Sequence, residues 1–385
     1  MLRFFTGGES HGPVLTVLVE GMPAGITVSP EYINQYLRRR QQGYGRGGRM
    51  KIEADQVAIT AGVRGGKTLG SPVVMTIANR DWPNWQTIMD PGVSADLDSR
   101  AITRPRPGHA DLPAGLKYRH MDLRNILERA SARETAARVA AGALAAALLA
   151  EVGINVKGHV TQIGAAAVTK QQTLADVLNH VPASAVFCAD PEVEKHMIAC
   201  IDAAKQSGDT LGGVIEVLAW GLPVGLGSHV QWDRRLDGRL AQAVMSIPGI
   251  KGVEIGLGFK AATQPGSMVH DEIFFSPERS FYRQTNRAGG IEGGVTNGEL
   301  LVIRAAMKPI PTLSKPLKSI DIRTKQSAEA SYERSDICAV PAASVVAEAM
   351  VCLVLAQSLL EKFASDSLAE LLESLDNHNR YIRSV

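Results

Sequence analysis

Cysteines, aromatic residues and long apolar runs are all scarce in this 385-residue chain, and each scarcity removes a class of protein. Cys188, Cys200, Cys338 and Cys352 are the four cysteines, with no CxxC pairing and no histidine at ligand spacing. That pattern speaks against a zinc site or any other metal centre built on thiolates, and against a disulfide framework. Reduced thiols are expected, and Cys352, in an apolar helical stretch, is expected to act as a small hydrophobe. The longest uninterrupted apolar run, residues 139–150, has 12 residues, short of the roughly 20 that a membrane helix needs. The opening MLRFFTGGESHG holds no apolar stretch of signal-peptide length, so a cytoplasmic location is expected rather than export. No GxGxxG opens a helix, which leaves a Rossmann-type dinucleotide site without support. With 45% hydrophobic residues, the chain can nonetheless bury a sizeable core.

Positive charge is concentrated. RRRQQGYGRGGR (38–49) holds five arginines and four glycines with no acid, in a chain whose net charge is only +2. Without those five, 36 basic residues face 39 acidic ones. Guanidinium forks grip carboxylate and phosphate oxygens in bidentate fashion, and glycines let backbone N–H groups approach an anion. A compact, multi-anionic small molecule is the natural partner; a solvated arm and an Arg/Gly segment holding RNA are the alternatives. An RNA binder would spread its basic face and interleave aromatics, and here aromatics are 5% of the chain.

Short β-branched runs bounded by Gly, Pro or Asn predict strands over 14–19, 56–62, 73–78, 214–220, 253–259 and 300–305. Helical periodicity predicts one helix over 123–151 and a second over 342–363, apolar nearly all round and therefore destined for a core or a subunit interface. Ser367 and Glu370 stand in capping-box spacing ahead of Leu368, Leu371, Leu372 and Leu375, which predicts a short amphipathic tail helix. Strands and helices do not alternate as in a doubly wound fold. One large α+β domain over 1–363 with a tail over 364–385 is expected.

Five further segments carry chemistry. GGESHG (7–12) places Ser10 and His11 in a glycine-held loop ahead of a strand. RPRPGHAD (104–111) stiffens Arg106 and His109 with prolines, and a rigid histidine lined by arginines is suited to act as an acid near neutral pH. ERASARETAAR (128–138) puts Arg129 and Arg133 at helical spacing, where Glu128 and Glu134 could simply pair with them on the surface. KPIPT (308–312) is a basic, proline-stiffened loop after a strand, and ERSD (333–336) precedes the long apolar helix. AGVRGGKT (61–68) fits a loose phosphate-loop pattern, but Gly70 and Pro72 follow too soon for the required helix, so a β-hairpin turn is expected there. Together these segments predict a multi-anionic site assembled from distant parts of the chain.

In order and spacing, GGESHG, RRQQGYGRGGRM, RPRPGHAD, ERASARETAAR, GGIEGGVTNGE, MKPIPT and ERSD resemble the motifs of the chorismate synthase family, from the first residues to about Leu360. The resemblance implies a β-α-β sandwich of antiparallel sheets around a helical core, usually a homotetramer. It implies loss of phosphate and a ring proton from 5-enolpyruvylshikimate 3-phosphate, with reduced FMN required and no net redox change. By the same resemblance, His11 protonates the departing phosphate, His109 protonates the reduced flavin, and Asp336 with Ser10 aids proton removal. Arg40, Arg46 and Arg49, with Arg106, correspond to substrate-side arginines, two of the family's arginines being also assigned to a nicotinamide nucleotide. Arg129, Ala130, Ser131, Ala132, Arg133, Gly293, Lys308, Pro309, Ile310, Pro311, Thr312 and Arg334 correspond to FMN-binding stretches. Pro248 and Gly249 stand where some members carry a polar residue and Ala in contact with flavin. No separate nicotinamide domain is visible, so an external flavin reductase, with NADPH as a source of electrons, is the expected partner.

Overall fold

The computed structural model describes residues 2–47, 54–333 and 336–385. Two antiparallel sheets enclose a helical layer. The first sheet comprises β1 (Arg3–Gly7), β2 (Val14–Glu20), β3 (Val57–Ala61) and β4 (Val73–Ala78) in the order β1-β2-β4-β3. The second comprises β5 (Asn155–Ile163), β6 (Gly213–Trp220), β7 (Ile250–Ile255) and β8 (Leu301–Met307) in the order β7-β8-β6-β5, extended by the short strand Ala166–Ala167. The helices are α1 (Pro30–Gln41), α2 (Asp111–Tyr118), α3 (Arg124–Ala130), α4 (Thr135–Glu151), α5 (Leu174–His180), α6 (Pro191–Ser207), α7 (Leu236–Met245), α8 (Val340–Lys362) and α9 (Leu368–Ser384).

Period-two burial fixes which face of the first sheet turns inward. Leu15, Val17 and Val19 on β2 and Val73, Met75 and Ile77 on β4 are buried, and β2 packs against α4. On its other side α4 meets α8, which in turn lies on β5 and β6, while α1 packs against both helices. A helix apolar all round needs partners all round. Of an 18-residue apolar window in α8, 89% is buried inside the protein, so its hydropathy reflects the core it fills.

Two glycines let these layers approach. A Cβ on Gly142 of α4 would lie 2.4 Å from the Ala349 Cβ and 2.5 Å from its Cα, and one on Gly158 of β5 would lie 2.2 Å from the Ser344 carbonyl oxygen. At the same seam Glu348, buried in α8, accepts the Gly158 N–H at 2.7 Å and both terminal nitrogens of Arg39, each at 2.7 Å. Arg39 therefore ties the end of α1 into the middle of the sandwich, and Arg38 to Arg40 form the last turn of that helix. The start of α1 was open to reading from the sequence, since Ser29 caps it and Pro30 opens it.

Several expectations meet the structure differently. The strand expected over 253–259 lies at Ile250–Ile255, because Gly256 and Gly258 take φ of 59° and 54° and turn the chain into the 3-10 segment Gly258–Thr263. The helix expected over 123–151 breaks between Ala130 and Thr135: Ser131 is extended and its hydroxyl accepts the Arg133 N–H. A serine side chain that satisfies a backbone donor competes with helix continuation. Arg129 and Arg133 thus do not share a helix face. AGVRGGKT does form a hairpin, Val63–Arg64 against Lys67–Thr68, with Gly65 and Gly66 both at positive φ as a tight hairpin turn requires. The tail helix α9 carries the anticipated Ser367–Glu370 capping box and buries Leu371 and Leu375 in the same core as the rest of the chain.

Gly142→Ala is expected to lower the urea-unfolding free energy by ~1–3 kcal/mol, overpacking at the α4–α8 crossing outweighing the better helix propensity of alanine. An unchanged or higher midpoint would contradict this close approach.

Candidate active site

A cavity of about 410 Å³ opens where the N-terminal end of α8, the α3–α4 junction and four loops converge. Its apolar lining comes from Leu127, Ile247, Met307 and Ala342, Ala343 and Val346 of α8. The opposite character comes from Arg40, Arg46, Arg106, Arg133 and Lys308. The α8 N-terminus adds the positive end of a long helix dipole.

Gly8, at φ 107°, sits where a Cβ would strike the Val14 carbonyl oxygen at 2.4 Å, and the turn it permits carries Ser10 and His11 inward. Ser10 donates its N–H to the Glu128 carbonyl oxygen at 2.9 Å and its hydroxyl to Ser131 Oγ at 3.0 Å. His11 is 6% exposed. Its backbone N–H donates to Glu128 Oε2, its Nδ1 lies 2.8 Å from Glu128 Oε1, and its ring stacks on Trp85 with centroids 3.8 Å apart. Burial pushes the Glu128 carboxyl up, yet the hydrogen bonds and charge of His11, with Arg124 beside it, hold it below the usual range. An ionised Glu128 keeps the proton on Nδ1 and leaves Nε2 as the ring nitrogen available for chemistry.

His109 repeats the device. Its Nδ1 lies 2.6 Å from Oδ1 of Asp111, which is fully buried and also accepts the Arg106 N–H, Nε and Nη2 at 3.1, 2.8 and 3.1 Å. Burial raises the Asp111 carboxyl, but the hydrogen bonds of His109 and Arg106 win and drive it far below the carboxylate range. Arg106 also donates to Thr312 Oγ1 at 3.0 Å, so the RPRPGHAD and KPIPT loops are laced together. Lys308 Nζ bonds the Gly108 carbonyl oxygen, and the Lys308 N–H donates to the Gly249 carbonyl oxygen at 2.9 Å. Gly249 thus holds the start of the KPIPT loop through its backbone carbonyl.

The arginines are held from behind. Asp55 takes Arg40 Nη2 on one carboxylate oxygen at 3.0 Å and Arg133 Nη1 on the other at 2.9 Å. Burial raises this carboxyl and the two guanidiniums lower it, with a net downward shift. Asp336 accepts the Gly47 N–H at 2.6 Å and pairs with Arg46 Nη1 at 3.1 Å.

Of the residues anticipated, Ser10, His11, Arg40, Arg46, Arg106, His109 and Asp336 line this one cavity, as do Ala130, Ser131, Ala132 and Arg133, Pro248 and Gly249, and the whole of Lys308, Pro309, Ile310, Pro311 and Thr312. Two do not. Arg129 points away, donating to the Thr6 and Gly8 carbonyl oxygens, and Gly293 sits at the tip of the hairpin Ile291–Glu292/Val295–Thr296. Arg49 and Arg334 lie outside the described residues. Sequence reasoning missed Asp55, Asp111 and Glu128, and Glu128 is a buried partner of His11 rather than a surface one. For Asp111 the signal was its position two residues after His109; Asp55 offered none.

The family model described as "Chorismate synthase" matches residues 2–360. This chain belongs to the chorismate synthase family. It is 62% identical to the chorismate synthase of Moorella thermoacetica and 60% identical to that of Desulforamulus reducens, each over the full length of both chains. A solved structure titled "Crystal Structure of Chorismate Synthase" superposes with a TM-score of 0.81 at 44% identity, covering 100% of this chain and 99% of that one. The protein is accordingly a carbon–oxygen lyase with the α+β sandwich of that family.

Because the folded-state values of Asp111, Asp55 and Glu128 are all depressed, the stability they contribute is present above the ordinary carboxylate range and is lost as pH falls through their lowered values. Between pH 5 and pH 3 the unfolding free energy is expected to fall, with a limiting slope of ~1.4 kcal/mol per pH unit for each such group. Asp111→Asn should flatten that dependence in urea titrations; a slope identical to the parent would contradict the assignment.

Proposed function

We propose that the chain catalyses the anti-1,4-elimination of phosphate and a ring proton from 5-enolpyruvylshikimate 3-phosphate to give chorismate, with reduced FMN required and no net redox change. The observation that carries this reading is the meeting, in one cavity of a chain of this family, of two histidines each bonded through Nδ1 to a buried carboxylate, beside arginines drawn from separate segments.

In the reaction a ring C–O bond to phosphate and a ring C–H bond break, and the ring gains one double bond. Phosphate and carboxylates ask for bidentate cations, and Arg40, Arg46 and Arg106 are the residues proposed to hold them, with Arg49 as a further candidate. His11, its Nδ1 proton fixed by Glu128, is proposed to hold a proton at Nε2 for the departing phosphate. General acid assistance of this kind contributes roughly 10² to 10⁴ in rate.

Leu127, Ile247 and Met307 give the cavity apolar lining for a flavin ring, and the Ala130–Ala132 and Lys308–Thr312 stretches offer backbone groups and the Lys308 cation for its phosphate tail, so the residues present suit FMN. The chemistry that reduced FMN supplies when bound is transient electron donation, returned within the same turnover. His109 is proposed to hold a proton on the flavin side, and Asp336 with Ser10 to assist removal of the ring proton. The proposal extends to reduced FMN supplied by an external reductase drawing on NADPH, and to a homotetramer acting in the cytoplasm; these parts rest on family resemblance.

With dithionite-reduced FMN and 5-enolpyruvylshikimate 3-phosphate under anaerobic conditions, phosphate release well above a boiled control is expected. His109→Ala should keep the fold and lose ~10² to 10⁴ in rate. No release by the parent would end the reading, and parental turnover in His109→Ala would remove that residue from the mechanism.

A further inference from the structure

We propose that Asp55 is a positioning residue that holds Arg40 and Arg133 side by side as one two-guanidinium clamp for a polyanionic ligand; naming that ligand as the enolpyruvyl phosphate substrate rests on the reading of function above. Arg40 ends α1 and Arg133 belongs to the 3-10 turn Ala132–Glu134, so nothing in local structure makes them neighbours. Both line the cavity, and both are almost wholly buried. Two like charges in such a place repel, and burial penalises each. One carboxylate reconciles them by giving a separate oxygen to each, at 3.0 and 2.9 Å.

Asp55 is itself held still. It is 3% exposed, and its N–H donates to Oε1 of Gln41, the residue after Arg40, at 3.1 Å. The Arg40 Nη1 reaches Thr135 Oγ1 at 3.4 Å, and that hydroxyl donates to the Ala132 carbonyl oxygen, so the clamp is braced against the start of α4. The bracing leaves Arg40 Nε buried and without a protein partner among the described residues, on a residue that lines the cavity. An oxyanion that enters the cavity meets two guanidiniums already fixed side by side. Asp55 touches no reacting atom in this scheme; it acts through the arginines.

Asp55→Asn keeps the shape and removes the charge. Inorganic pyrophosphate, used as a compact polyanion, should raise the melting temperature of the parent in a saturable way, and the midpoint concentration should rise at least tenfold in Asp55→Asn. In turnover the same variant should raise KM at least tenfold with kcat changed only a few-fold. Asp55→Glu retains the charge one methylene further out and should fall between the two, which keeps the test decisive if Asp55→Asn does not fold. Leu371→Ala, a core truncation in the tail helix, controls for lost stability and should leave both midpoint and KM at parental values. An unchanged pyrophosphate midpoint in Asp55→Asn, or no response of the parent to pyrophosphate, overturns the clamp. A parent that binds pyrophosphate but turns over no enolpyruvyl substrate overturns the reading of function and leaves the clamp standing.

Discussion

Cations crowded into one cavity push one another apart, and the site depends on buried carboxylates that hold them where they are. Asp55 between Arg40 and Arg133, Asp111 between Arg106 and His109, and Glu128 between His11 and Arg124 follow one scheme. In each the carboxylate stands behind the cation. Removing water raises the cost of every unpaired charge, so the pairing that makes the cavity foldable also fixes which nitrogen of each group faces the ligand. Catalytic geometry and stability here share the same contacts, and the depressed carboxyl values are the electrostatic sign of it.

The sandwich supplies the frame. The segments that meet in the cavity come from the loop before β2, the end of α1, the loop before α2, the α3–α4 junction, the stretch after β8 and the start of α8. They converge because α8 is the middle of the molecule, pressed against α4 at Gly142 and against β5 at Gly158. The Arg39–Glu348 pair ties α1 to that seam one residue before Arg40 enters the site. A rigid, close-packed centre holds a loop-built site in place.

Much of this was legible in the sequence wherever chemistry and local geometry coincide. Glycine-held and proline-stiffened loops pointed to His11, His109 and Lys308, because such loops exist to place side chains, and the hairpin at Gly65–Gly66 followed from residues that cannot continue a helix. What was not legible is long-range pairing. Asp55 lies 78 residues from Arg133 and 15 from Arg40, and nothing in its surroundings announces burial. The break at Ser131 is a contest between helix propensity and one hydroxyl hydrogen bond, which tertiary contact with Ser10 helps decide. Arg129 and Arg133, read as a pair, end up respectively on the surface and in the cavity for that reason.

The most direct measurement is a crystal structure with 5-enolpyruvylshikimate 3-phosphate and oxidised FMN bound. Pre-set cations predict phosphate or carboxylate oxygens within hydrogen-bond distance of Arg40, with the Asp55, Asp111 and Glu128 pairings intact and the interior backbone moved by less than ~1 Å. A ligand seated elsewhere, or arginines that leave their carboxylates to reach it, would contradict a site whose charges are fixed from behind.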